Sequence, residues 1–117
     1  MTLLQKQQEF ALMISQLIQF AYQNDYRLTL GDAYRDPSLH GEMGESKGYG
    51  RANSLHKLRL AVDFNLFKDG KFLQTTDDHK ELGEFWESLG GSWGGRFGEN
   101  GGIADGNHYS LKYRGLR

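Results

Sequence analysis

Five apolar side chains at alternate positions, Leu58, Leu60, Val62, Phe64 and Leu66, constrain this 117-residue chain more than any other feature. A period of two fits a strand with one buried face. Asp63 falls on the opposite face, between Ala61 and Asn65. The small Ala61 leaves room beside that carboxylate for an ion. Lys68-Asp69-Gly70-Lys71 is a turn signal, and Lys71–Gln74 reads as the returning strand of a hairpin.

Other elements can be placed around this strand. Phe10, Ala11, Met13, Ile14, Leu17, Ile18 and Ala21 recur at helical spacing, which predicts an amphipathic helix over residues 3–23. Tyr26–Leu30 alternates as a short strand. Pro37 is expected to prevent regular continuation, and 38–53, with four glycines and no apolar period, reads as a long loop. Thr76 or Asp77 can cap a second helix with the face Leu82, Phe85, Trp86 and Leu89, and Gly90 is placed to end it. Half of the 16 glycines lie between Gly90 and Gly106, and Asn107–Tyr113 reads as a last strand. The sum is an α+β fold, helices packed on a small, mostly antiparallel sheet, as a single domain over residues 1–117.

The chemistry gathers in two segments, Ser54–Asp63 and Asp105–His108. Two imidazoles, His56 and His108, with the Asp63 carboxylate make a three-ligand zinc set that leaves one coordination position open. Asp105, three residues before His108, supplies a second carboxylate as general base for metal-assisted hydrolysis. One geometric condition follows. His56 is seven residues before Asp63, an odd separation that would put the two on opposite faces of a continuous strand. The chain must therefore bend or bulge between Lys57 and Leu60. His40 and His79 read as surface residues, and Trp93 and Phe97 as either a groove wall or core aromatics beneath a loop.

Several classes are disfavoured. Cysteine is absent, so any metal must use nitrogen and oxygen donors. Net charge is −1, without the basic stripe of a nucleic-acid binder; Lys112, Arg114 and Arg117 read as a solvated tail. No apolar run of about 18 residues is present to insert in a membrane, and no secretory signal is expected, since residues 1–23 lack a basic region followed by a short apolar stretch and a small-residue cleavage site. The glycine-rich stretch matches neither nucleotide-binding loop pattern. A monomer made in the cytoplasm is expected.

At these residues the chain resembles the M15 family of zinc peptidases, the D-alanyl-D-alanine carboxypeptidases and related phage cell-wall endopeptidases. Ser54, His56, Ala61 and Asp63 fit its Ser-x-His-x-x-Gly-x-Ala-x-Asp signature, with Arg59 in place of the glycine; Asp105 and His108 fit its second motif. Tyr34-Arg35 fits the family's upstream arginine following a tyrosine, and Ser92–Phe97 is similar to the phage-type members. The resemblance implies zinc on His56, Asp63 and His108, Asp105 as catalytic base, and Arg35 near the substrate carbonyl or carboxylate. It implies a peptidoglycan stem peptide as substrate: an L-alanyl-D-glutamate bond as in phage endolysins, or terminal D-Ala-D-Ala. A holin-type protein would then give access to the wall. The rivals are a glycoside hydrolase using Glu42 and Glu45, and a non-catalytic wall-binding module whose zinc is closed by His40 or His79.

Overall fold

The alternating segment forms the central strand of the sheet from Ala61 onward, whereas Leu58 lies in a 3-10 turn before it. The computed structural model describes all 117 residues, the side chain of Asn100 excepted. Its elements run α1 (Leu3–Gln23), β1 (Tyr26–Leu30), a one-turn α2 (Pro37–His40), β2 (Ala61–Lys68), β3 (Lys71–Leu73), α3 (Lys80–Ser88), β4 (Ser92–Trp93) and β5 (His108–Ser110). Three short 3-10 segments lie between them, at Leu55–Leu58, Asp77–His79 and Gly94–Asn100. The sheet order is β1-β2-β5-β4, with β3 also paired to β2. Every pairing is antiparallel, which bears out the α+β reading.

Val62, Phe64 and Leu66 are buried on one face of β2. Phe10, Met13, Leu17 and Ala21 of α1, with Leu82 and Trp86 of α3, complete the same core. Phe10 meets Trp86 edge-on with centroids 5.7 Å apart, a favoured aromatic geometry. Burial of each large side chain contributes roughly 1.5–3 kcal/mol. The other face of β2 is open, and there Asn65 donates to the Thr29 hydroxyl at 3.1 Å. Both helices thus brace one face of the sheet and leave the Asp63 face free.

Local chemistry explains the boundaries. Thr2 and Gln5 exchange hydrogen bonds at the start of α1, satisfying two of its unpaired amides. Asp69 and Gly70 both take positive φ, 53° and 76°, as a tight hairpin turn with right-handed strands requires. Gly90, at φ 95°, follows α3 in the left-handed region.

Some expectations need correction. Pro37 opens α2 instead of barring a helix: it occupies the first helical position, where no amide is needed, and Asp36 caps the turn. At the second helix, Thr76 makes no side-chain cap. Thr75 and Asp78 instead exchange two 3.1 Å hydrogen bonds. The last strand is shorter than Asn107–Tyr113, because after Leu111 the chain turns into an isolated Tyr113–Leu116 bridge. No helix is long and apolar enough to cross a membrane.

Candidate metal centre

Strand register brings the first two site residues together. β2 and β5 pair so that Asp63 stands directly opposite His108, and directly opposed residues on one face of a sheet are side-chain neighbours. His56 arrives by the bend that its spacing demanded. Leu55–Leu58 form a 3-10 turn, and Arg59 then takes φ 56°, ψ 37°, in the left-handed region. That reversal sends the chain into β2 and returns His56 to the face of Asp63. Glycine accepts such angles freely, whereas arginine adopts them at a cost. Here the Arg59 guanidinium lies 3.9 Å from the centroid of the Tyr34 ring, a contact that offsets part of the strain.

The resulting cluster holds His56 Nε2 at 3.3 Å and His108 Nδ1 at 3.5 Å from Asp63 Oδ1. Neither approach is a well-formed hydrogen bond, and Asp63 Oδ1 is buried without a hydrogen-bond partner. A cation explains this better than direct bonding. Two donors each at zinc–ligand distance, roughly 2.0–2.1 Å, with a tetrahedral angle between them lie about 3.4 Å apart. Donor atoms of the three residues lie within 4.8 Å of one another, so the group could hold a metal ion. Burial alone would raise the Asp63 carboxyl, but His108 and His56 outweigh it and hold the group well below the usual carboxylate range. It is an anion at any pH where the domain would work.

Asp105 projects from the turn before β5, with its side chain 47% exposed and Oδ2 4.0 Å from His108 Nδ1. The turn is held by Asp105 N–H to the Gly94 carbonyl at 2.9 Å and His108 N–H to the Asp105 carbonyl at 3.1 Å. A Cβ on Gly94 would clash with the Asp105 carbonyl oxygen, so a larger residue there would displace the turn that carries the carboxylate.

Arg35 stands across the cleft. Its Nε donates to Asp32 at 3.2 Å, its Nη1 to the Ser54 hydroxyl at 3.0 Å, and its backbone amide to the His56 carbonyl at 3.1 Å. Ser54 Oγ also accepts from the His56 amide at 3.2 Å. Arg35 is thus held in an ion pair with Asp32 and also stands beside the site. Arg35, Ser54, His56, Asp105 and His108 line a cleft of about 580 Å³.

Lys57 supports the site through contacts that no sequence motif announces. It is buried, and its ammonium donates to the carbonyls of Glu42, Glu45 and Ala52 at 3.1, 2.7 and 2.9 Å. All three of its donors are used. The loop that borders the cleft is thereby tied to the turn that aims His56.

The two remaining histidines overturn the surface reading. His79 is buried against the Tyr109 hydroxyl at 2.7 Å; burial pushes its pKa down to about 4, with Asp78 opposing only in part. His40 is buried too, with Nδ1 2.9 Å from the Tyr49 carbonyl. Neither joins the metal group, which has three members among the described residues, so a site closed by either is not supported. Glu42 and Glu45 do not line the cleft either. Trp93 and Phe97 are buried, and the Trp93 indole donates to the Gly106 carbonyl at 2.8 Å. Trp93 is core; Phe97 lies under a second cavity beside Asp105.

A family model for M15 peptidases, described as D-alanyl-D-alanine carboxypeptidase, matches residues 47–111, more than half of the chain. The chain belongs to the M15 peptidase family. The match contains His56, Asp63, Asp105 and His108; Arg35 lies upstream of it. No curated protein matches the chain. In this M15 peptidase, two members of the group that could hold a metal, His56 and His108, line the cleft together with Asp105.

Proposed function

We propose that this M15 peptidase is zinc-dependent and cuts the L-alanyl-D-glutamate bond of bacterial peptidoglycan stem peptides, in the manner of a phage endolysin. The observation that carries the reading is the His56–Asp63–His108 group, at zinc-like donor separations, facing a cleft that Asp105 also lines. Nitrogen and oxygen donors with no thiolate suit zinc, and a three-residue set leaves room for reacting groups.

Zinc at this group would supply Lewis acidity, lowering the pKa of water from near 16 towards about 7 and stabilising negative charge on the scissile carbonyl. Asp105 takes the proton from the attacking water and delivers it to the leaving amine. Its half-exposed position suits that exchange. Arg35, oriented by Asp32 and Ser54, keeps guanidinium donors for a substrate carbonyl or carboxylate. Asp63, already anionic, needs no proton loss to bind a cation.

Cleavage within a chain is favoured over removal of a terminal residue by the shape of the cleft. The main cavity meets a second one of about 600 Å³ at Arg51, Asp105 and Arg117. An extended peptide can therefore lie on both sides of Asp105, whereas a carboxypeptidase needs a closed end. D-alanyl-D-alanine carboxypeptidase activity is the second reading, supported by the description of the matched family.

Digestion of purified peptidoglycan with and without a chelator, followed by mass analysis, tests both readings. The expected products have new D-glutamyl amino ends and disappear with chelation. Release of free D-alanine would transfer the assignment to the second reading, and undiminished digestion in chelator would overturn the metal mechanism.

A further inference from the structure

Two arginines on the cleft have no acidic side chain within ion-pair distance among the described residues. Arg35 is engaged by Asp32, and Arg96 by Glu87 and Glu99. Arg51 and Arg117 have no such counter-ion, although they come from distant parts of the chain to the same place. Their guanidinium carbons lie 5.1 and 4.7 Å from the centroid of the same ring, Phe97. That ring packs against His108, with centroids 5.2 Å apart. Phe97 is thus a buried plate that holds two cations at the flank of the metal group.

Both arginines line both cavities, and Asp105 is the single acidic side chain lining either one among the described residues. The second cavity adds an apolar wall from Ile103 and Ala104. Two like charges gathered over one ring repel, and an incoming anion relieves that repulsion. An apolar wall strengthens the attraction by excluding water, and planar guanidinium forks match a carboxylate.

We propose that Arg51 and Arg117 form a carboxylate-binding subsite, selecting peptides whose residue next to the cleaved bond carries a free carboxylate. The proposal rests on the peptidase reading and deepens it. In an L-alanyl-D-glutamyl peptide, the residue after the cut bond carries such a group. The subsite begins where Asp105 ends, so a carboxylate seated there fixes the peptide's register across the metal group.

The test uses two probes, N-acetyl-L-alanyl-D-glutamate and the analogue with both D-residue carboxylates converted to carboxamides. Binding is measured by calorimetry on zinc-loaded protein carrying Asp105→Asn, so that turnover does not intervene. The acid should bind at least about tenfold more tightly than the diamide, the scale of one charge-assisted hydrogen bond. Adding Arg51→Gln and Arg117→Gln should erase the difference, while Arg51→Lys with Arg117→Lys should keep part of it. Equal affinity for the two probes, no binding of either, or an acid preference that survives both glutamine substitutions would overturn the subsite. Cleavage of the acid by the protein with Asp105 intact is read separately. A retained binding preference without cleavage removes the peptidase reading and leaves the subsite; cleavage with no acid preference does the reverse.

Discussion

Position 59 offers a quantitative test of how the metal turn is built. Arg59 occupies the left-handed region at φ 56°, ψ 37°, which costs a side-chain-bearing residue roughly 1–2 kcal/mol relative to glycine. Its guanidinium over Tyr34, at 3.9 Å, returns about 0.5–1 kcal/mol at so exposed a place. Arg59→Gly removes both the strain and the stacking, so its net effect should lie between zero and about 1.5 kcal/mol of added stability. Arg59→Ala keeps the strain and loses the stacking, and should cost about 0.5–1 kcal/mol. Glycine should then exceed alanine by roughly 1–2 kcal/mol, the reverse of their order in a helix. Urea unfolding of the three proteins in chelator, with equal slopes, reads this as a midpoint difference of about 0.5–1 M between the glycine and alanine variants. An alanine variant as stable as the glycine variant would show that the turn is not strained at Arg59, and the account of how His56 reaches Asp63 would lose its energetic basis.

Two further outcomes are expected. Asp105→Asn should retain zinc at wild-type stoichiometry while turnover falls by about 10²–10⁴-fold; unchanged turnover beside full metal content would remove Asp105 from proton transfer. His79 should make stability depend on pH. Its folded pKa is lowered to about 4 from 6.5, so between those values the unfolded chain binds more protons and stability falls as pH drops. The full effect is about 3 kcal/mol. His79→Gln should flatten that slope in a pH series of urea unfolding, and an identical slope in both proteins would refute the burial argument.

Periodic features were legible because they report a local geometry. The apolar stripe of α1 and the alternation of β2 each reflect one repeating backbone and one buried face. The Asp69-Gly70 turn and the Gly90 stop mark positions with positive φ, a demand visible in residue type alone. The separation of His56 from Asp63 was informative for the opposite reason. It is incompatible with a straight strand, so a bend was required before its form was known. Sequence did not disclose that the bend would be a 3-10 turn ending in a left-handed arginine, because that arginine is stabilised by Tyr34, 25 residues away in the chain.

The missed features share a cause: a polar side chain is buried where distant groups satisfy it, and those groups carry no local signature. Lys57 has no neighbour in sequence that signals burial, yet it is buried because the loop folds three carbonyls onto its ammonium. His79 reads as a surface residue near a helix start, yet β5 supplies the Tyr109 hydroxyl. Arg117 reads as a tail, yet it meets Arg51 over Phe97. In each case the partner is brought by tertiary structure, and in two of the three it borders the cleft. The candidate metal group was more readable than its surroundings because metal chemistry restricts which residues can serve. The surroundings only need donors, acceptors and charge, which many residues provide, so substrate choice is written in the fold more than in the motif.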